Sequence, residues 1–113
     1  MPDSMKRIEE HAFDCCYKLE SIHFPVASSL EVIGEGAFYN CSSLRGVLNL
    51  PDSLKRIEKG AFDRCSKLES IHFPAASSLL EFVHEEAFKG CKPSAISSDI
   101  IKKWNLVFQE EGW

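Results

Sequence analysis

Apolar positions recur along the chain in a fixed order. The dipeptide Ala-Phe stands at Ala12-Phe13, Ala37-Phe38, Ala61-Phe62 and Ala87-Phe88, at separations of 25, 24 and 26 residues. Three positions after each Phe comes a cysteine: Cys16, Cys41, Cys65 and Cys91. In the first three copies Leu19, Leu44 and Leu68 follow after three more residues, then Ile22, Val47 and Ile71. A proline closes each of these copies, at Pro25, Pro51 and Pro74. Upstream of each Ala-Phe lies a second apolar pair: Met5/Ile8, Leu30/Ile33, Leu54/Ile57 and Leu80/Val83. A longer period overlies the short one, since residues 2–30 recur almost verbatim at 51–79. Self-similarity of this kind marks a repeat architecture.

The elements follow from the pattern within one repeat. Leu-x-x-Ile-x-Phe-Pro, at Leu19 to Pro25 and Leu68 to Pro74, alternates as a short strand does. The proline ends it, having no N–H to give to a ladder. The pairs Leu30/Ile33 and Leu54/Ile57 read as a second short extended segment on the opposite wall. The stretch from Gly36 to Cys41 reads as a single helical or 3₁₀ turn with Ala37, Phe38 and Cys41 facing inward. One such coil cannot bury its own apolar edge, whereas stacked coils bury Leu, Ile, Phe and Cys in columns about 4.8 Å apart. The expected fold is a repeat solenoid of the leucine-rich-repeat type, α/β with mostly short parallel strands. It has about four coils of 24–26 residues and a C-terminal helical cap.

The string Ile-x-x-x-Ala-Phe-x-x-Cys-x-x-Leu-x-x-Ile-x-Phe-Pro, at Ile57–Pro74, resembles the BspA-like (Treponema pallidum-type) leucine-rich repeats. The resemblance covers residues 2 to about 92 and rests on the Ala-Phe-x-x-Cys element, which sets this class apart from other leucine-rich repeats. It implies a secreted or surface-attached protein that adheres to other proteins or cells, with no catalytic residue among the shared positions. The second copy departs from the pattern. Gly46-Val47-Leu48-Asn49-Leu50-Pro51 has one extra residue before its proline, which leaves the register of its strand open by one position. The division expected is a repeat array over 1–97, lacking an N-terminal cap, and a capping segment over 98–113. In the latter, Ser98-Asp99 is placed to cap a short helix whose Ile100, Ile101, Trp104 and Phe108 share one face over the last coil. An array that opens within a repeat is expected either to be cut from a longer one or to pair with another copy through its N-terminal coil.

Composition narrows the function. With 113 residues, 44% apolar and 27% charged, the chain suits one small ordered domain. A net charge of −4 argues against nucleic acid or an anionic membrane as a partner held by bulk charge. No run reaches the roughly 20 apolar residues of a membrane span, so membrane insertion is not expected, and no signal peptide is evident. Whether the chain is exported is left open, because its unpaired cysteines suit a reducing compartment.

The five cysteines are too few and too widely spaced for a disulfide scaffold or a local zinc site. Four of them are one position used four times and are read as buried thiols packing as small hydrophobes. Cys15, whose counterpart is Arg64, is the thiol expected to face solvent. His23 and His72 occupy equivalent strand positions about 10 Å apart, too far to share a metal ion. No cofactor, metal or catalytic cluster is expected, and the chain is not read as an enzyme. What remains is a surface. The outward residues of the main strands are Glu20, Ser21 and His23, then Arg45 and Leu48 with Gly46, then Glu69, Ser70 and His72. Arg45 is expected between Glu20 and Glu69. The stripe reads as a face for a protein partner or, equally, as a charge ladder that only keeps the sheet soluble. The leading function is therefore a non-enzymatic protein-interaction or adhesion module. The alternative is a structural fragment that self-associates through its first coil.

Overall fold

A computed structural model describes residues 4–25, 28–74 and 80–108. On one wall stand four two-residue strands, β1 (Arg7–Ile8), β2 (Val32–Ile33), β4 (Arg56–Ile57) and β6 (Phe82–Val83). They form one parallel sheet in that order, with Ile8, Ile33, Ile57 and Val83 in register and buried. The opposite wall carries β3 (Arg45–Asn49) and β5 (Lys67–His72), also parallel.

Between the walls run the Ala-Phe segments. Phe13, Phe38, Phe62 and Phe88 stack face over face at centroid spacings of 5.1, 5.2 and 5.3 Å with planes within 8° of parallel. Each such offset ring pair contributes roughly 0.5–1.5 kcal/mol beyond the burial of its area. These segments are runs of tight turns rather than the single helical turn expected. Alternate N–H groups close i→i−3 turns, as Ala37 to Gly34, Tyr39 to Gly36 and Cys41 to Phe38. The others reach the next repeat: Gly36, Phe38 and Asn40 donate to the carbonyls of Lys59, Ala61 and Asp63. That alternation turns each second N–H out of the turn, and left-handed backbone supplies it. His11, Gly36 and Gly60 have φ of 56°, 61° and 67°, and Cys15, Asn40 and Arg64 have 56°, 57° and 66°. Glycine takes the first of these positions without steric cost. A side chain at Gly36 would also strike the His11 ring at 2.6 Å.

The motif's cysteine has two jobs. The thiols of Cys41, Cys65 and Cys91 donate to the carbonyls of Phe13, Phe38 and Phe62 in the preceding repeat at 3.2, 3.1 and 3.1 Å. Each of those carbonyls also accepts the N–H of its own repeat's cysteine. A small apolar side chain with one weak donor fits that position.

Two predicted elements differ. The first Leu-x-x-Ile-x-Phe-Pro, residues 19–25, forms no strand and joins no ladder. Its backbone tie to β3 is the Arg45 N–H to the Glu20 carbonyl at 3.0 Å. The helix, α1 (Ser98–Trp104), starts one residue earlier than expected: Ser97 is its cap, accepting the Ile100 N–H, and Phe108 lies beyond its end. Ile100, Ile101, Trp104 and Phe108 still pack against the core. Before it, a 3₁₀ turn at Pro93–Ala95 packs on β5, burying Ala95 and Ile96 while Ser94, where a leucine would stand, is exposed.

Candidate functional site

The outward side of β3 and β5 is the surface the stripe was read onto, and its composition differs from expectation at the bulge. In the ladder Val47 faces Ser70, Leu48 faces Ile71 and Asn49 faces His72. Leu48 is therefore in the core at 1% exposure, not on the face, and Val47 stands out at 53%. The register steps from Gly46↔Leu68 to Val47↔Ser70, leaving Glu69 of β5 without an opposite, and Gly46 at that point has a left-handed φ of 79°. Counting back from Pro51, rather than forward from Cys41, places Leu48 correctly. Asn49, opposite His72, joins the face on that count, and Lys67 joins it beside Arg45.

The other predicted residues fall as follows. Glu20, Ser21, His23, Arg45, Glu69 and His72 are exposed and Ser70 is half-buried. Arg45 donates to Glu20, Nη2 to Oε1 at 2.9 Å. The shifted register sets Arg45 beside Lys67 rather than Glu69, and among the described residues no ion pair joins Arg45 to Glu69. The Arg45–Glu20 pair, about two-thirds exposed on each side, adds a few tenths of a kcal/mol. His72 Nδ1 lies 3.0 Å from Asn49 Oδ1, so the asparagine fixes the ring. His23 instead borders a groove of about 270 Å³ shared with Phe13, Leu19, Ser21, Ile22 and Phe38. The arrangement offers an exposed valine ringed by one carboxylate, two cations, an amide and an imidazole. Such a surface can seat a polypeptide but holds no set of groups converging on a reacting atom.

The column thiols Cys41, Cys65 and Cys91 lie in the core rather than on this face. All five cysteines are free. Cys15 is half-buried rather than solvent-facing, and Cys16 is half-buried beside it. Burial pushes the Cys16 thiol up, and the neighbouring Cys41 and Asp14 add to this. Cys65 is pushed up by its contact with Cys41 and by burial, while the same contact holds Cys41 below an ordinary thiol. Cys91 is pushed up to about 12 by burial. A second cavity, about 330 Å³, opens between β6 and the end of α1. Its two aromatic rings are already covered by the chain's own cations, Arg56 over Phe82 at 4.5 Å and Lys103 over Trp104 at 5.3 Å. Among the described residues no group of three or more His, Cys, Asp or Glu is placed to hold a metal ion, and no helix is long and apolar enough to cross a membrane.

A family model, the BspA type leucine rich repeat region, matches residues 1–106 in 6 copies. The crystal structure of a T. pallidum leucine rich repeat protein is similar, with a TM-score of 0.60 and 44% sequence identity over 66% of this chain and 33% of that one. The match thus spans a third of that protein's length. No curated protein matches the chain.

Proposed function

The chain belongs to the BspA-type leucine-rich repeat family, and on that premise we propose that it is a non-enzymatic module for binding protein partners. Leucine-rich repeats generally mediate protein interaction, and the outward side of β3 and β5 is the face assigned to that role here. The observation that carries the assignment is Val47, a large apolar side chain held 53% exposed in the middle of a strand. Interface centres combine such an apolar anchor with a polar rim, and Arg45, Asn49, Lys67, Glu69 and His72 supply the rim. Adhesion, on a secreted or cell-surface protein, is the form of the role that the family resemblance favours. In this reading the array over 1–97 forms about four solenoid coils, closed at their last face by the capping segment, of which 98–108 are described and 109–113 lie outside the described residues. Ile100, Ile101 and Trp104 packed on the core support that closure.

The test is affinity for a partner recovered by proximity cross-linking, measured by biolayer interferometry. Val47→Arg with Arg45→Glu and His72→Ala is expected to weaken binding about a hundredfold, as loss of a central anchor does. Unchanged affinity in that variant, with its melting temperature intact, refutes the assignment of the face.

A further inference from the structure

Asn49 and Asn105 are followed two residues later by Pro51 and Val107, whereas Asn40 opens the tripeptide Asn40-Cys41-Ser42. Asn-x-Ser, with x other than proline, is the acceptor sequence for an N-linked oligosaccharide. A tripeptide alone carries little, and the way the fold displays it decides. Only the second repeat assembles it. The positions of Asn40 and Ser42 hold Cys15 and Tyr17 in the first copy, Arg64 and Ser66 in the third, and Gly90 and Lys92 in the fourth.

Left-handed backbone does not account for the asparagine. That conformation favours asparagine, yet Cys15, Asn40 and Arg64 share it with φ of 56°, 57° and 66°. A thiol, an amide and a guanidinium all serve there, and all three residues are at least partly open to solvent. Asn40 is tied to the next repeat through its backbone, the N–H donating to the Asp63 carbonyl at 2.7 Å. Its side-chain nitrogen, Nδ2, lies 3.5 Å from the Tyr17 hydroxyl at the surface, and Tyr17 is 56% exposed. An amide nitrogen carries two hydrogens. A sugar replaces one and leaves the other for Tyr17, whose ring offers the first sugar an apolar surface to lie on.

The middle residue sets when the transfer takes place. Cys41 is fully buried, its N–H bonded to the Phe38 carbonyl and its thiol to the Phe13 carbonyl. In the folded chain the tripeptide cannot be drawn out as an extended segment without unpacking the column. It is therefore modified as the chain is translocated, ahead of folding, and the repeat then closes beneath the modified amide.

We propose that Asn40 is the acceptor of an N-linked oligosaccharide supplied on a polyprenyl diphosphate. A bond forms between Nδ2 and the anomeric carbon of the first sugar, and the bond from that carbon to the diphosphate oxygen breaks. The lipid diphosphate leaves, and one amide proton passes to solvent. The inference rests on the secreted form of the proposed function, and it is independent of which face binds a partner.

The test expresses the 113-residue chain behind a cleavable secretion leader in cultured eukaryotic cells. A C-terminal tag with an acceptor site of its own marks the chains that entered the pathway. Cell and medium are read together, so a chain held back for misfolding still counts. Tag-modified chains are expected to carry a second oligosaccharide, removed by peptide-N-glycosidase, with the resulting aspartate placed by mass spectrometry at residue 40. Ser42→Ala is expected to abolish it, and Ser42→Thr to keep or raise the fraction modified. Stripping the oligosaccharide from the folded protein is expected to leave the melting temperature unchanged or lower it. Tag-modified chains without sugar at residue 40, sugar there that persists in Ser42→Ala, or a melting temperature that rises on stripping overturns the proposal.

Discussion

Replacing Leu48 and Val47 one at a time separates two readings of the same five-residue strand. Aligning repeats forward from the cysteine makes Val47 the core residue equivalent to Ile71. The register instead pairs Leu48 with Ile71 and leaves Val47 outside. Leu48 is 1% exposed, so Leu48→Ala removes the burial of its distal carbons and leaves a cavity that stacked neighbours cannot close without shifting the columns. Such changes cost about 2–5 kcal/mol, and about 3 is expected here. Val47 is 53% exposed, so Val47→Ala gives up under half of its transfer energy plus some strand preference, about 0.5 kcal/mol.

Urea unfolding followed by circular dichroism reads the difference directly. With a slope of about 1.5 kcal/mol per molar, Leu48→Ala lowers the midpoint by about 2 M and Val47→Ala by about 0.3 M. In a thermal scan the same costs correspond to about 12 and 2 °C. Leu48→Asn sharpens the contrast, since an unpaired buried amide adds about 1–3 kcal/mol while Val47→Asn adds next to nothing. Equal costs for the two alanine variants, or a larger one at Val47, refute the bulge and return Leu48 to the outer face.

The stack and the thiol column give two more expectations. Phe62→Ala removes ring partners on both sides, Phe38 and Phe88, and is expected to cost about 4 kcal/mol, whereas Phe13→Ala, with one ring partner and only partial burial, costs about half that by urea titration. Stability is also expected to fall in alkali. The Cys91 thiol is raised from its ordinary 9.0 to about 12, so above pH 9 the unfolded chain releases that proton first and the folded chain holds more protons. Its contribution is complete below pH 9 and lost as pH rises toward about 12, at up to about 1.4 kcal/mol per unit. Urea midpoints at pH 8 and 10.5 measure the fall, and Cys91→Ala should make it shallower; an equal fall in that variant assigns it to other groups.

The repeat frame was legible because its signal is redundant. Ala-Phe-x-x-Cys demands a ring to stack, a methyl-sized neighbour and a thiol that reaches one carbonyl, and no loop needs that combination four times. The register of β3 was not legible from the same frame. Counts from Cys41 and from Pro51 disagree by one residue, and only pairing with β5 decides between them. There the Leu50 N–H bonds the His72 carbonyl and fixes the proline end, and the ladder takes up the difference between Gly46 and Val47, where it skips Glu69. The turns escaped notice for another reason. Their alternating donors depend on left-handed residues, and His11, Cys15 and Arg64 adopt that conformation without the glycine that would have announced it.

These two kinds of legibility have opposite consequences for function. The column positions are fixed from both sides: a Phe carbonyl takes one hydrogen bond from its own repeat's cysteine N–H and one from the thiol of the repeat after it. A change there disturbs two repeats at once. The outward side chains of β3 and β5 carry no such double duty, since those of Arg45 and Asn49 reach Glu20 and His72 through exposed atoms. Stability in such arrays is a sum of nearest-neighbour terms, and the outer face contributes little to any of them. Sequence on that face is free to vary with the partner. The residue that most shapes it, Val47, was put there by a one-residue insertion in the second copy, which moved Leu48 inward without breaking the columns beneath.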